Sequence, residues 1–219
     1  MKSFDINIDQ GSLVSLILIL LVFVPMLLCV AFMTIIERKA MGSMQRRIGP
    51  NVVGYYGVLQ PFADALKLVV KEQIIPAQSN KALFFLAPMI SLVFSLLGWA
   101  TIPFGSGMAI ADLSLGMLFS LAVSSIGVYG ALFAGWAANS KYAFLGSLRS
   151  TAQMVSYELI FSTCVAAVIL LAGSLNFTTI VEAQTSIWFI VPLFPLFIMY
   201  LISALAELNR TPFDLPEAE

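Results

Sequence analysis

The run Leu13-Val14-Ser15-Leu16-Ile17-Leu18-Ile19-Leu20-Leu21-Val22-Phe23-Val24-Pro25-Met26-Leu27-Leu28-Cys29-Val30-Ala31-Phe32-Met33-Thr34-Ile35-Ile36 decides the fold class. It holds no charge and exceeds the roughly 20 residues of helix that cross a bilayer core of about 30 Å. In lipid the backbone must satisfy its own hydrogen bonds, so such a run is a helix. Four similar runs follow, at about Ala82–Ile102, Leu115–Ala138, Ala152–Ala172 and Ile187–Ala206, and none contains lysine or arginine. The polar start (Lys2, Asp5, Asn7, Asp9, Gln10) lacks a basic n-region, and the first run is too long for the apolar part of a signal peptide. It is read as a retained first span.

Composition agrees. Of 219 residues, 60% are hydrophobic and 11% charged, with mean hydropathy +0.96 and net charge −1. Soluble domains carry about a quarter charged residues. No histidine is present, which excludes a Ser-His-Asp triad, histidine-ligated haem and the commonest zinc sites. Cys29 and Cys164 lie in separate apolar runs, too few and too far apart for an iron–sulfur cluster, which takes about four cysteines. Any electron carrier belongs to another chain.

Charge sets the orientation. Arg38, Lys39, Arg46, Arg47, Lys67, Lys71 and Lys81 lie between the first two runs, Lys141 and Arg149 between the third and fourth, and Arg210 after the fifth. Only Lys2 is on the other side, whose loops carry Asp112 and Glu182. The positive-inside rule therefore puts the N-terminus outside and the C-terminus inside. Within the long first inside loop, Gly57–Ile74 has apolar residues at Val58, Leu59, Phe62, Leu66, Val69 and Val70, with Asp64, Lys67 and Lys71 opposite. That is one apolar stripe at helical period, suited to a helix lying in the membrane interface or packed on protein. Gly49-Pro50-Asn51 and Gly54 mark an ordered loop before it. Gly127, Ala131 and Gly135 form a ladder of small residues that favours close helix packing in the third run. The expected fold is an all-α integral membrane protein, with five transmembrane helices and an interfacial amphipathic helix in one membrane domain over residues 1–219.

Acidic residues in or beside the apolar runs are the informative ones. Glu158 lies about two turns into the fourth run, Glu37 ends the first and Glu207 ends the fifth. A carboxylate inside a membrane costs several kcal/mol unless it faces a partner or a wet cavity. Poorly solvated carboxylates exchange protons near neutral pH, and a cluster of them can relay protons.

Several ordered motifs carry a family resemblance. They are Glu37-Arg38-Lys39, Gln45-Arg46-Arg47-Ile48-Gly49-Pro50-Asn51-Val52-Val53-Gly54, Leu59-Gln60-Pro61-Phe62-Ala63-Asp64, Ala134-Gly135-Trp136, Asn139-Ser140-Lys141-Tyr142, Leu148-Arg149-Ser150, Gln153-Met154-Val155-Ser156-Tyr157-Glu158 and the stretch from Ala206-Glu207-Leu208-Asn209-Arg210 to Glu217-Ala218-Glu219. From the first span to the last residue the chain closely resembles the chain 1 family of NADH–ubiquinone oxidoreductase, the respiratory complex I subunits at the foot of the peripheral arm. The resemblance implies a non-redox subunit that, with two peripheral-arm subunits, encloses the chamber in which quinone is reduced. It implies Arg38, Gln45, Arg46, Arg47, Phe62, Asp64, Arg210 and Phe213 as chamber lining or rim. Glu37, Glu158, Glu207, Asp214, Glu217 and Glu219 are implied as the proton path out of it. Ubiquinone is then the substrate, while NADH, FMN and iron–sulfur clusters belong to partner subunits. The other membrane-arm subunits and the lipid bilayer are further partners, and nucleic acid is not one.

The implied location is the mitochondrial inner membrane with the N-terminus in the intermembrane space, or else a bacterial plasma membrane. The family normally has eight spans and about half as many residues again, so a second chain carrying the last three spans, or a longer parent sequence, is expected. A membrane anchor of an energy-converting hydrogenase and a proton-coupled secondary transporter using Glu158 and Glu207 are the alternatives.

Overall fold

The computed structural model describes residues 12–105 and 108–214. Glu217 and Glu219 of the expected proton path lie outside the described residues, as does the polar N-terminal start. All the regular structure among them is helical: α1 (Ser12–Met44), α2 (Gln60–Val70), α3 (Lys81–Gly98), α4 (Gly116–Ala137), α5 (Lys141–Ala172), α6 (Phe177–Ala183) and α7 (Phe194–Glu207). The chain divides into two compact units, one carrying α1 and α2 and the other carrying α3 to α7. Four of these helices (α1, α3, α4 and α5) are long and apolar enough to cross a membrane.

In the first unit, α1 continues past the expected end at Ile36 as far as Met44. The charges Glu37, Arg38 and Lys39 end the apolar run without ending the helix, because glutamate, arginine, lysine and alanine are all good helix formers. At 33 residues and a rise of 1.5 Å each, α1 is about 50 Å long, so its last turns exceed a bilayer core. The chain then turns through Gly54 (φ 74°), Tyr56 (φ 53°) and Gly57 (φ 73°). A Cβ on Gly57 would stand 2.3 Å from the Pro50 carbonyl oxygen, so only glycine fits there. The amphipathic helix is shorter than the sequence suggests. It starts at Gln60 with Pro61 in its first turn and stops at Lys71, which is extended. Its apolar face is uncovered in this chain, with Val69 82% and Val70 78% exposed.

In the second unit, α4 packs between α3 and α5, and α7 packs on α5. Close helix approach is made at two glycines. A Cβ on Gly130 would meet Ser91 Oγ at 1.9 Å and the Ala87 carbonyl oxygen at 3.0 Å; one on Gly135 would meet Ser147 Oγ at 2.0 Å and the Ala143 carbonyl oxygen at 2.8 Å. A Cβ on Gly127, the first rung of the expected ladder, would meet Phe94 Cβ at 4.0 Å, an ordinary contact. The ladder of small residues thus marks the right helix, but of its glycines only Gly135 makes the close approach.

The helix α5 begins at Lys141, eleven residues before the apolar run expected from Ala152, so Lys141 and Arg149 are helical rather than in a connecting loop. It ends at Gly173 in the left-handed conformation (φ 68°). The fifth apolar run is helical only from Phe194. Pro192 and Pro195 hold back the start of the helix, since proline is tolerated in a first turn and not within one. At 14 residues, α7 is about 21 Å long, short of a bilayer core by itself. On the far side of the bundle, Asn176 caps α6 by accepting from the Thr178 and Thr179 N–H groups, and its amide donates to Asp112 at 2.6 Å. Asp112 therefore ties two loops together.

Candidate functional site

At the α1–α2 junction, the Arg38 guanidinium donates to Asp64 Oδ2 at 2.5 Å and the Gln60 amide donates to Asp64 Oδ1 at 2.9 Å. Arg38, and then Gln60, hold the Asp64 carboxyl below its ordinary range. Both charged side chains are well exposed, at 50% and 36%, so the pair orients α2 on α1 more than it stabilises the fold. Phe32 and Phe62 pack edge-to-face with ring centroids 5.9 Å apart. The Lys39 ammonium donates to the Tyr56 carbonyl oxygen and lies 5.5 Å from the centre of its ring. Arg47 Nε donates to Gln45 Oε1 at 2.7 Å, and Arg46 is left-handed at φ 55°.

The junction therefore gathers Arg38, Phe62 and Asp64, with Gln45 and Arg47 paired to each other on the loop that follows α1. Gln60 is a further member that no charge or apolar pattern reveals; its spacing of four from Asp64 on one helix is the signal that finds it. Because Asp64 is depressed in the folded chain, its contribution is present above the ordinary value of 3.8 and is lost only as pH falls through the lowered one. We expect Arg38→Met to return Asp64 toward the ordinary range, read by infrared titration of aspartate-labelled protein.

The second gathering joins α4, α5 and α7. Ser124 Oγ donates to Glu207 Oε1 at 3.0 Å, and Ser125 Oγ donates to Glu158 Oε1 at 2.5 Å. Two adjacent serines of α4 thus each hold one carboxylate, Glu207 from α7 and Glu158 from α5. The single hydrogen of Ser125 has a second acceptor, the Leu121 carbonyl oxygen at 3.0 Å. An open pocket of about 410 Å³ lies between α4 and α5 beside Glu158, and Ser125, Tyr129, Thr151 and Ser162 supply its polar lining. The Thr151 hydroxyl is buried with no protein hydrogen-bond partner.

Past α7 the chain folds back onto α5. The Gln153 amide donates to the Ala206 carbonyl oxygen at 2.9 Å, to Asn209 Oδ1 at 3.1 Å and to the Phe213 carbonyl oxygen at 3.0 Å. The Asn209 amide donates to Ser150 Oγ at 3.2 Å, and the Phe213 ring packs on Tyr157 at 5.4 Å. Phe213 is thus held against the residue that precedes Glu158, Arg210 is exposed, and Asp214 is half-buried. A second pocket, of about 430 Å³ and mostly apolar, opens between α5, α7 and residues 184–193, with Cys164, Phe189 and Tyr200 among its walls.

Of the sequence-predicted site residues, Glu158 and Glu207 are brought together in this unit, and Phe213 is placed against the same helix. Ser124, Ser125 and Gln153 are members that the sequence does not reveal. Serine and glutamine in an apolar helix announce nothing until the facing helix is known.

The family model described as NADH dehydrogenase matches residues 17–219. The chain is 72% identical to NADH-ubiquinone oxidoreductase chain 1 of Mycosarcoma maydis, over 94% of this chain and 62% of that protein. It is 61% identical to the chain 1 protein of Podospora anserina, over 94% of this chain and 56% of that one. It is 54% identical to a NADH-quinone oxidoreductase subunit of Rhodospirillum centenum, over 98% of this chain and 65% of that protein. The chain therefore spans somewhat under two thirds of the length of these relatives.

Proposed function

Because the chain belongs to the NADH dehydrogenase family, we propose that it serves in the membrane arm of a proton-translocating NADH:ubiquinone oxidoreductase, helping to form the quinone chamber and passing its charge changes to buried carboxylates. One observation carries the reading: Glu158 and Glu207 are seated side by side on Ser124 and Ser125 in a bundle of apolar helices. A carboxylate pair in that setting is costly to keep without a task. The adjacent pocket, with its unpartnered Thr151 hydroxyl, suits water that exchanges protons with Glu158.

Under this reading Arg38, Gln45, Arg46, Arg47, Phe62 and Asp64 line the chamber or its rim, as do Arg210 and Phe213. Glu37, Glu158, Glu207 and Asp214 belong to the proton path. Arg38 carries a positive charge that favours a quinone gaining negative charge, and Phe62 offers an apolar wall for its ring or tail. The uncovered stripe of α2 suits the lipid interface, where an apolar tail enters. The two units then belong to one membrane domain. NADH, FMN and the iron–sulfur clusters reside in partner subunits, and the location is the mitochondrial inner membrane or its bacterial counterpart. The names of the relatives favour this over a hydrogenase anchor or a transporter.

The test is a native gel of source membranes in mild detergent, stained for NADH dehydrogenase activity, with the active band sequenced by mass spectrometry. Finding this chain in the active band supports the assignment, and finding it only in bands without NADH activity overturns it. Within the assembled complex, Arg38→Met is expected to raise the KM for a short-chain quinone several-fold with assembly intact, since it removes one rim charge and frees Asp64. Steady-state quinone kinetics check this.

A further inference from the structure

From the contacts of Gln153 we infer that it is a positioning residue: a strap, supplied by α5, that holds the segment after α7 and so sets the seat of Glu207 beside Glu158. The inference rests on the proposed role of that carboxylate pair. Helices leave their last carbonyls without partners, and those ends are normally capped from within their own chain segment. At the end of α7 the N–H groups of Leu208, Asn209 and Arg210 already reach the Ala204, Ala206 and Leu205 carbonyls, and Gln153 adds a donor from a neighbouring helix. The two amide hydrogens of Gln153 are shared among three acceptors, and these span the whole turn: Ala206 in the last turn of α7, Asn209 just beyond it, and Phe213 at the far end. Ser150 and Tyr157 hold the same segment from the same face of α5, three residues before Gln153 and four after it.

The hold combines hydrogen bonds with one ring contact. Leu208 is 68% exposed, Arg210, Thr211 and Pro212 are also exposed or nearly so, and Asn209 bends the chain at φ 48°. Among the contacts that tie this segment to α5, the hydrogen bonds of Gln153 reach the most positions along it. Ala206, whose carbonyl is held, directly precedes Glu207, and Tyr157, which holds Phe213, directly precedes Glu158. A displacement at Phe213 therefore reaches Glu207 through Gln153 and Glu158 through Tyr157. Around Glu158 stand Ser125, which donates to it, and Tyr129, which lines the same pocket, with Glu207 held on the adjacent Ser124.

Gln153→Leu keeps the approximate size and removes every donor. Asn209→Gly removes one acceptor of Gln153, together with the amide that donates to Ser150, and keeps the left-handed turn. In the purified complex reconstituted in vesicles, Gln153→Leu should keep NADH:quinone reductase activity within about twofold while protons moved per electron fall at least twofold. Asn209→Gly should show a smaller fall in the same ratio. A purely structural residue would lower rate and pumping together, so a proportional loss overturns the inference, and so does an unchanged ratio. If Gln153→Leu does not assemble, Asn209→Gly decides by the same criterion; if neither assembles, the positioning role is rejected. Glu158→Gln measured alongside separates the two levels. An unchanged ratio in Glu158→Gln rejects the carboxylate path itself, whereas its loss there with an unchanged ratio in Gln153→Leu rejects only the strap.

Discussion

Glu158→Gln is expected to lower proton translocation at least tenfold while leaving the subunit assembled. Glutamine keeps the shape of the side chain, and its carbonyl oxygen still accepts from Ser125, whose hydroxyl donates to Glu158 at 2.5 Å. The local packing therefore has no reason to change. What is lost is a group that can take up and release a proton, and an amide cannot replace it. NADH:quinone reduction, assayed with the membrane potential collapsed, is expected to fall far less, so that protons moved per electron fall with translocation. Glu158→Asp draws the carboxylate back by about 1.5 Å, one methylene, and should give an intermediate loss. Vesicles loaded with a pH-sensitive dye, normalised to complex content, provide the measurement. If translocation and quinone reduction are both unchanged in Glu158→Gln, Glu158 is not on the path.

The second large effect is structural. Gly130→Val is expected to abolish accumulation of the assembled subunit, whereas Gly127→Ala is expected to be tolerated. In lipid no hydrophobic force drives helices together, so close contact between backbones does much of the work of association. A single Cβ at residue 130 already falls 1.9 Å from Ser91 Oγ and 3.0 Å from the carbonyl oxygen of Ala87, a residue with no exposed surface. The serine can rotate, but the backbone of α3 cannot. Valine adds two further carbons and forces α3 off α4, at a cost of about 3 kcal/mol or more, roughly a hundredfold in the folding equilibrium. A Cβ on Gly127 would come no closer than 4.0 Å to the facing helix, at Phe94 Cβ, and exchanging glycine for alanine in a helix gains about 1 kcal/mol of propensity. Immunoblots of native gels, calibrated to total chain, distinguish the two. Normal assembly of Gly130→Val would mean that α3 and α4 do not meet at this glycine.

The membrane character, the all-helical class and the membership signalled by the ordered motifs were legible in the sequence. So was the oddity of Glu158. Each is a sum or a pattern along the chain: about twenty apolar residues make a helix in lipid wherever they occur, and a carboxylate among them is costly whatever its neighbours. Element ends were less legible. Charges stop an apolar run but not a helix, so α1 and α5 extend past their runs, while proline delays α7 within an apolar run. The pairings were not legible at all. Successive residues on a helix point about 100° apart, so whether Ser124 meets Glu207 and Ser125 meets Glu158 depends on how α4 is rotated between its neighbours. The same rotation puts Gly130 against α3 and Gly135 against α5, leaving Gly127 with room to spare. Gln153 finds three partners more than fifty residues away only once α7 has packed on α5. Hydropathy, a property of each residue alone, sets which segments are helices in the membrane. The rotation and approach of those helices, properties of pairs of surfaces, decide which side chains form the site.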